Sequence, residues 1–165
     1  MRPEPTARIS LRALRLEDAS VMAEVLADPS LYAFTGGEPP TVEQLHDRYA
    51  AQLRGGPAGG GERWVNLIVL QGTQPVGYVQ ATIPDDDGPA TIAWVIGRPW
   101  QVRGLAWRAA SLLLAELADL GVTRVIAHID PAHEASRRVA ARLGLEPTSV
   151  AVDGGTRWVG STGAP

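Results

Sequence analysis

The residues best suited to chemistry lie at the junction of a predicted strand and a long helix, over residues 96–106. The strand ends at Ile96, a short loop follows, and the helix begins at Gly104 or Leu105. The first amides of a helix have no partner within it, and together with the helix dipole they form a site for a phosphate or pyrophosphate. Gly104 lets a ligand approach the backbone closely, and Ala106 keeps the first turn small. The segment therefore predicts an anion site.

Two common phosphate-binding loops are excluded by the residues present. The dinucleotide fingerprint needs three glycines in the order G-x-G-x-x-G, and the Walker loop needs a lysine. All 15 basic residues of the chain are arginine, so lysine Schiff-base chemistry is excluded as well.

A second pair of candidates lies at the start of the next predicted helix, residues 134–143. His133 precedes this helix and Ser136 lies in its first turn. The charged form of histidine is disfavoured near a helix N-terminus, so we expect His133 to be neutral at physiological pH. A neutral imidazole can accept a proton from an ammonium group or give one to a leaving group. The structural alternatives are a capping or solvent-facing His133 and a Ser136 hydroxyl that satisfies a helix amide.

Other titratable residues give weaker indications. The run Asp85–Asp87 can attract a polyamine or an aminoglycoside, but charged hairpin turns more often have no such role. His46 lies on a predicted surface helix and His128 on a strand, where structural roles are commoner. The three histidines lack metal-ligand spacing, so no metal site is predicted. The Gly-x-Ser-x-Gly elbow of hydrolases is also missing from the sequence.

Composition is typical of one globular domain. The chain has 165 residues, 45% of them hydrophobic and 20% charged, which predicts a single domain over 1–165 with a core at 7–160 and a frayed tail at 161–165. A net charge of −3 argues against nucleic-acid binding and mildly favours a cationic small substrate. No apolar run is long enough for a membrane span or a secretory leader, and cysteine is lacking, so we expect a cytoplasmic protein without membrane contact.

Hydrophobic periodicity and turn residues predict the order β-α-α-β-β-β-α-β-α-β-β. The predicted strands and helices are Arg8–Leu16, Glu17–Ala27, Val42–Leu53, Trp64–Leu70, Pro75–Ile83, Ala90–Ile96, Leu105–Leu120, Arg124–Ile129, Glu134–Leu143, Leu145–Val152 and Arg157–Gly160. Thr41 and Gln44 have the spacing of a capping box. A right-handed crossover through the helix at Leu105 sets two strands parallel. We expect a mixed α/β sheet with helices on both faces.

Two segments resemble the GNAT family (GCN5-related N-acetyltransferases). Gln101-Val102-Arg103-Gly104-Leu105-Ala106 matches its Q/R-x-x-G-x-G/A motif. Residues Ile129–Leu145 are similar to its later signature of proline, asparagine, Ser-x-x-Val and a Leu-Gly-Phe-like end. The opening at Ile9, with Glu17-Asp18-Ala19, is similar to the RimJ/RimL-like branch, which acetylates ribosomal proteins. The resemblance covers about residues 7–160.

The resemblance implies an acetyl-CoA-dependent N-acetyltransferase with a centrally splayed sheet. Backbone amides of the first motif hold the cofactor pyrophosphate, and these amides belong to Gln101, Val102, Arg103, Gly104, Leu105 and Ala106. The strand end Trp94-Val95-Ile96 splays from strand 124–129, and the pantetheine arm lies in the gap on the backbone of Val95 or Ile96. Ser136 faces the thioester sulfur, the residue at position 133 touches the pantetheine arm, and Glu38 borders the acceptor site.

The sequence departs from the family pattern at two places. His133 replaces the usual asparagine, and neither Thr91 nor Ala93 is the glutamate base that many relatives carry on that strand. The resemblance implies a primary amine acceptor, on a protein N-terminus or a small cationic molecule, and permits a homodimer. These departures keep open a second function, a non-catalytic acyl-CoA-binding or regulatory module of the same fold.

Overall fold

A mixed sheet crosses the whole molecule in the computed structural model, which describes residues 8–163. Its seven strands within that range follow the order β1-β2-β3-β4-β5-β7-β6, and β4 and β5 are its parallel pair. The strands and helices are β1 Ile9–Ala13, α1 Asp18–Val25, α2 Val42–Gln52, β2 Glu62–Gln71, β3 Gln74–Pro84, β4 Ala90–Ile96, α3 Leu105–Asp119, β5 Arg124–Ile129, α4 Glu134–Arg142, β6 Glu146–Val152 and β7 Gly155–Ser161. The predicted element order and fold class are confirmed.

Helices cover both faces of the sheet because side chains alternate along each strand. On β2, Val69 packs in the core beneath α3, whereas Ile68 packs beneath α1 and α2. The α3 side holds the larger core, which includes Leu113 and Leu117 at helical spacing. Each face therefore buries its own apolar cluster, and β4 lies between the two.

The capping box predicted for α2 is confirmed. The Gln44 amide donates to Thr41 Oγ1 over 3.1 Å, and the Thr41 amide donates to Gln44 Oε1 over 2.9 Å.

The last strand, β7, continues through Ser161, and the Thr162 amide donates to the Thr123 carbonyl over 3.0 Å. The expectation of a frayed tail from residue 161 was therefore wrong for Ser161 and Thr162, because β5 provides pairing partners there. Residues 1–7 and 164–165 lie outside the described residues.

The first strand is shorter than predicted because Asp18 organises the turn after it. The Asp18 carboxylate accepts the Arg15 amide over 2.8 Å and forms a two-point pair with the Arg12 guanidinium at 2.8 and 3.0 Å. Burial raises the pKa of Asp18, but Arg12 and the Arg15 amide outweigh it and bring that pKa below its usual value. Two short 3-10 helices, Pro29–Tyr32 and Arg98–Trp100, lie in segments predicted as loops.

Candidate active site

The gap between β4 and β5 is the feature around which the site is built. The two strands pair only at Ala90–Val125 and Thr91–Ile126. Beyond Thr91, β4 remains paired with β3, and β5 remains paired with β7. The carboxyl ends of the two parallel strands therefore separate, and the β4 edge from residue 92 to residue 96 has no strand beside it.

Backbone alternation decides which groups of β4 face this gap. The Gly97 amide donates to the Val76 carbonyl on β3 over 2.8 Å. Successive residues of a strand present their N–H and C=O groups to opposite edges, so Val95 also faces β3, while Trp94 and Ile96 face the gap. The alternation thus favours Ile96 over Val95 as the residue whose amide can bind a ligand. The Trp94 side chain packs against the core on the α3 side.

The loop after β4 brings unpaired amides to the mouth of the gap. Gly104 has φ 72° and ψ 14°, and no side chain caps α3. Val102 also has a positive φ, 62°, and its side chain is fully exposed. Left-handed residues on both sides of Arg103 turn neighbouring N–H groups toward one side, which suits an anion. A β-branched residue in this region is strained, and strain of this kind is concentrated at ligand sites.

The other residues of the motif have distinct positions. The Gln101 side chain donates to the Ile96 carbonyl over 2.9 Å, so it joins the loop to the end of β4. Leu105 is buried in the core and can offer a ligand only its backbone. Arg103 is exposed and has no side-chain hydrogen bond within residues 8–163, so its guanidinium can reach an anion at the helix end. Arg98 instead donates to Ser30 Oγ over 2.8 Å.

His133 and Ser136 contact each other at the start of α4. The Ser136 amide donates to His133 Nδ1 over 3.3 Å, and Ser136 Oγ lies 3.2 Å from His133 Nε2. Because Nδ1 accepts a hydrogen bond from the Ser136 amide, a neutral ring carries its hydrogen on Nε2 and donates a hydrogen bond to Ser136 Oγ. The Ser136 hydroxyl hydrogen is then free for another acceptor. His133 is therefore both the helix cap and the partner of Ser136.

The pKa of His133 lies below its ordinary value because burial disfavours the imidazolium, although Asp130 opposes this. The direction agrees with the sequence expectation of a neutral ring, but the main cause is burial rather than the helix dipole. Both ring nitrogens are engaged with Ser136. This arrangement suits proton donation through Ser136 better than acceptance of a proton from a substrate.

Phe34 was missed by the sequence reasoning. Its ring stacks on His133, with centroids 4.5 Å apart and an interplanar angle of 23°. Phe34 lies in the loop between the first 3-10 helix and α2, and 42% of its surface is exposed. The loop therefore reaches the N-terminus of α4 at the open end of the gap. The signal available was the chain's one phenylalanine, placed next to Gly36-Gly37. Glu38 lies exposed in the same loop, and its contact with an acceptor stays a prediction.

No carboxylate lies on β4 where many relatives have one. Thr91 and Ala93 pair with Thr82 and Gln80 of β3, so these four side chains share the sheet face toward α1 and α2. His128 lies on β5 and accepts a hydrogen bond from Arg157 at Nε2 over 3.1 Å. Neither β4 nor β5 therefore offers a carboxylate to the gap.

Residues 8–163 contain no group of three or more histidine, cysteine, aspartate or glutamate side chains arranged to hold a metal ion. No helix in that range is long and apolar enough to span a membrane.

Comparison with protein families gives a match to one described as an acetyltransferase (GNAT) domain, over residues 8–146. A search of curated proteins by sequence found no match.

Many solved structures share the fold. An acetyltransferase from Thermus thermophilus is 25% identical, with 94% of this chain and 98% of that chain covered and a TM-score of 0.77. RimJ of Mycobacterium smegmatis, solved with CoA-disulfide, is 18% identical over 95% and 83% of the two chains, with a TM-score of 0.76. Spermidine N-acetyltransferase from Vibrio cholerae, solved with CoA and spermine, is 15% identical over 94% and 96%, with a TM-score of 0.73.

Proposed function

Because the chain belongs to the GNAT family of acetyltransferases, we propose that it transfers the acetyl group of acetyl-CoA to a primary amine. The observation that carries this proposal is the opening between β4 and β5 beside the uncapped start of α3. A strand edge with free backbone groups suits an amide-bearing arm, and helix amides suit a pyrophosphate. The acceptor is a protein N-terminus or a small molecule, and the spermidine N-acetyltransferase of the same fold is an example of the second kind.

The residues present fit the cofactor at three points. Gln101 to Ala106 offer backbone amides to the pyrophosphate, with Gly104 leaving room for close approach. Trp94 and Ile96 offer backbone groups to the pantetheine arm, and Ser136 lies at the open end of the gap. When bound, acetyl-CoA supplies an acetyl group activated as a thioester.

Each protein group then has a definite task. The Ile96 amide polarises the thioester carbonyl, as an oxyanion-hole donor does. The lone pair of a neutral amine forms the new C–N bond, the C–S bond breaks, and the electron pair leaves on sulfur. Ser136 Oγ–H would give its proton to that sulfur and regain one from water, while His133 Nε2–H donates a hydrogen bond that holds the Ser136 oxygen in place. The amine proton leaves through water, because β4 carries no carboxylate. Proximity in the gap supplies a large part of the rate.

Calorimetric titration with acetyl-CoA, desulfo-CoA and NAD tests the first half of the proposal. Micromolar binding of acetyl-CoA without binding of NAD supports the cradle at Gly104. No binding of any CoA species would remove the proposal. Turnover with a broad panel of amines tests the second half and separates an enzyme from the alternative, an acyl-CoA-binding or regulatory module without catalysis. The missing strand glutamate and His133 are what favour that alternative.

A further inference from the structure

Two adjoining cavities lie on the sheet face beneath α2, outside the acetyl-CoA site. Their volumes are about 260 Å³ and 280 Å³, and both are lined by Arg48, Gln52, Asn66 and Gln80. The first cavity is also lined by the phenols of Tyr49 and Tyr78. We call the two cavities together the α2 cleft. Thr82 and the Trp64 indole add two polar groups to the second cavity. None of the other six polar side chains belongs to the acetyl-CoA site.

Apart from the Trp64 indole, whose N–H donates to Glu62 Oε1 over 2.8 Å, the polar side chains of the α2 cleft have no hydrogen-bond partner within residues 8–163. Within residues 8–163, none of these six side chains forms a hydrogen bond, and neither of the two ion pairs includes Arg48. Tyr49 is only 5% exposed, and its hydroxyl has no hydrogen-bond partner. Every completely buried polar side-chain atom within residues 8–163 does have a partner, so the Tyr49 hydroxyl is not completely buried and opens onto the cavity. A hydroxyl that is otherwise buried and aimed into a cavity is available to a ligand.

The charge of the α2 cleft is positive. Burial raises the pKa of Tyr49 and of Tyr78, so both phenols remain hydrogen-bond donors, and the nearby charge of Arg48 only partly opposes the shift. Asp18 is the carboxylate that acts on Tyr49, but it is held in the two-point pair with Arg12. One guanidinium among phenols and amides is a donor set for a carboxylate or a phosphate.

The α2 cleft lies beside the gap, on the sheet face toward α1 and α2. Gln80 pairs with Ala93 and Tyr78 pairs with Val95, so the cleft is separated from the gap by strand β4 alone. Neighbouring strands are about 4.8 Å apart, which places β2 and β3 roughly 5–10 Å from the gap edge of β4. A single small molecule can therefore place one end in the gap and the other in the cleft.

We infer that the acceptor is a primary amine that carries a carboxylate or a phosphate roughly 5–10 Å from its nitrogen, held by Arg48 and the Tyr49 hydroxyl. This inference rests on the proposed function, since it names the acceptor of that site. It departs from the preference for a cationic acceptor that the net charge of −3 suggested. Net charge describes the whole surface, whereas recognition depends on the charge lining the cleft.

Three amines of equal length test the inference: δ-aminovalerate, δ-aminovaleramide and cadaverine, whose second ends are anionic, neutral and cationic. Aminobutyl phosphate separates phosphate from carboxylate. We expect kcat/KM for one of the two anionic amines to exceed that for the amide by roughly 10- to 100-fold. Arg48→Gln removes this preference by raising KM for the anionic amine, with kcat and the amide reaction little changed. Arg54→Gln, just beyond α2 and outside the cleft, is the matched control.

Calorimetry of δ-aminovalerate and aminobutyl phosphate with the CoA-loaded protein provides a readout that does not depend on catalysis. Binding that Arg48→Gln weakens and Arg54→Gln does not supports the inference, even if no amine is acetylated and the proposed function fails. Preference for cadaverine, or equal behaviour of the two variants, overturns the inference, and acetylation of cadaverine would leave the proposed function standing. Tyr49→Phe should weaken anion binding to a smaller extent, because one neutral donor is lost.

Discussion

Gly104→Ala is the most direct perturbation of the predicted pyrophosphate cradle. Gly104 has φ +72°, and an added Cβ would lie 3.4 Å from Trp107 Nε1, which is ordinary van der Waals contact. The substitution therefore causes no collision inside the protein. A left-handed alanine costs about 1–2 kcal/mol, partly offset because alanine has less freedom than glycine in the unfolded chain. We expect a net loss of about 1 kcal/mol in the free energy of unfolding.

The effect on acetyl-CoA binding should exceed that on stability. The new methyl group lies at the uncapped end of α3, where a phosphate must approach the amides closely. Loss of one charge-assisted hydrogen bond weakens binding roughly 10- to 100-fold. Gly104→Val should abolish binding.

Gly121→Ala is the matched control at the other end of α3. Gly121 has φ +84° and no neighbouring atom within 4 Å of an added Cβ, so it carries the same backbone penalty far from the cradle. Urea unfolding should show similar losses for the two variants, while calorimetry should show weaker acetyl-CoA binding only for Gly104→Ala. If both variants bind acetyl-CoA as the parent does, the cradle does not lie at Gly104.

Three further perturbations address the remaining parts of the site and the fold. Ser136→Ala should lower kcat about 100-fold through loss of the proton donor, with acetyl-CoA affinity unchanged by calorimetry; an unchanged kcat would remove Ser136 from the mechanism. Because burial lowers the pKa of His133, its neutral form stabilises the fold above about pH 6.5, and that contribution is lost as pH falls through the lowered pKa. The free energy of unfolding, measured with urea, should therefore fall less for His133→Asn than for the parent as the pH is lowered from 7 to 5. Part of the remaining fall comes from His128, and an equal fall in the two proteins would contradict this. Arg12→Gln should cost about 1–3 kcal/mol in unfolding free energy, because the Asp18 carboxylate loses its counter-ion but keeps the Arg15 amide, and adding Asp18→Asn should restore a large part of it.

Contiguous patterns in the sequence by themselves determined much of this protein. Helical periodicity after Gly104, the Thr41–Gln44 capping box and the turn residues predicted the element order that the fold adopts. The helix start at residues 101–106 could also be predicted, because its geometry depends on neighbouring residues alone. The family resemblance came from this segment together with residues 129–145. Signals of this kind are local, so sequence reasoning can identify them.

Tertiary structure alone decided what surrounds that segment. Strands β4 and β5 separate after Thr91, so their pairing ends there. Because the Gly97 amide bonds to β3, the backbone groups of Ile96 face the gap. The stacking of Phe34 on His133 joins residues almost a hundred positions apart. Arg48 likewise reaches its cleft only because α2 lies across β2 and β3. Such contacts follow from how separate elements pack, for which the chain contains no adjacent pattern, and they set the acceptor side of the site.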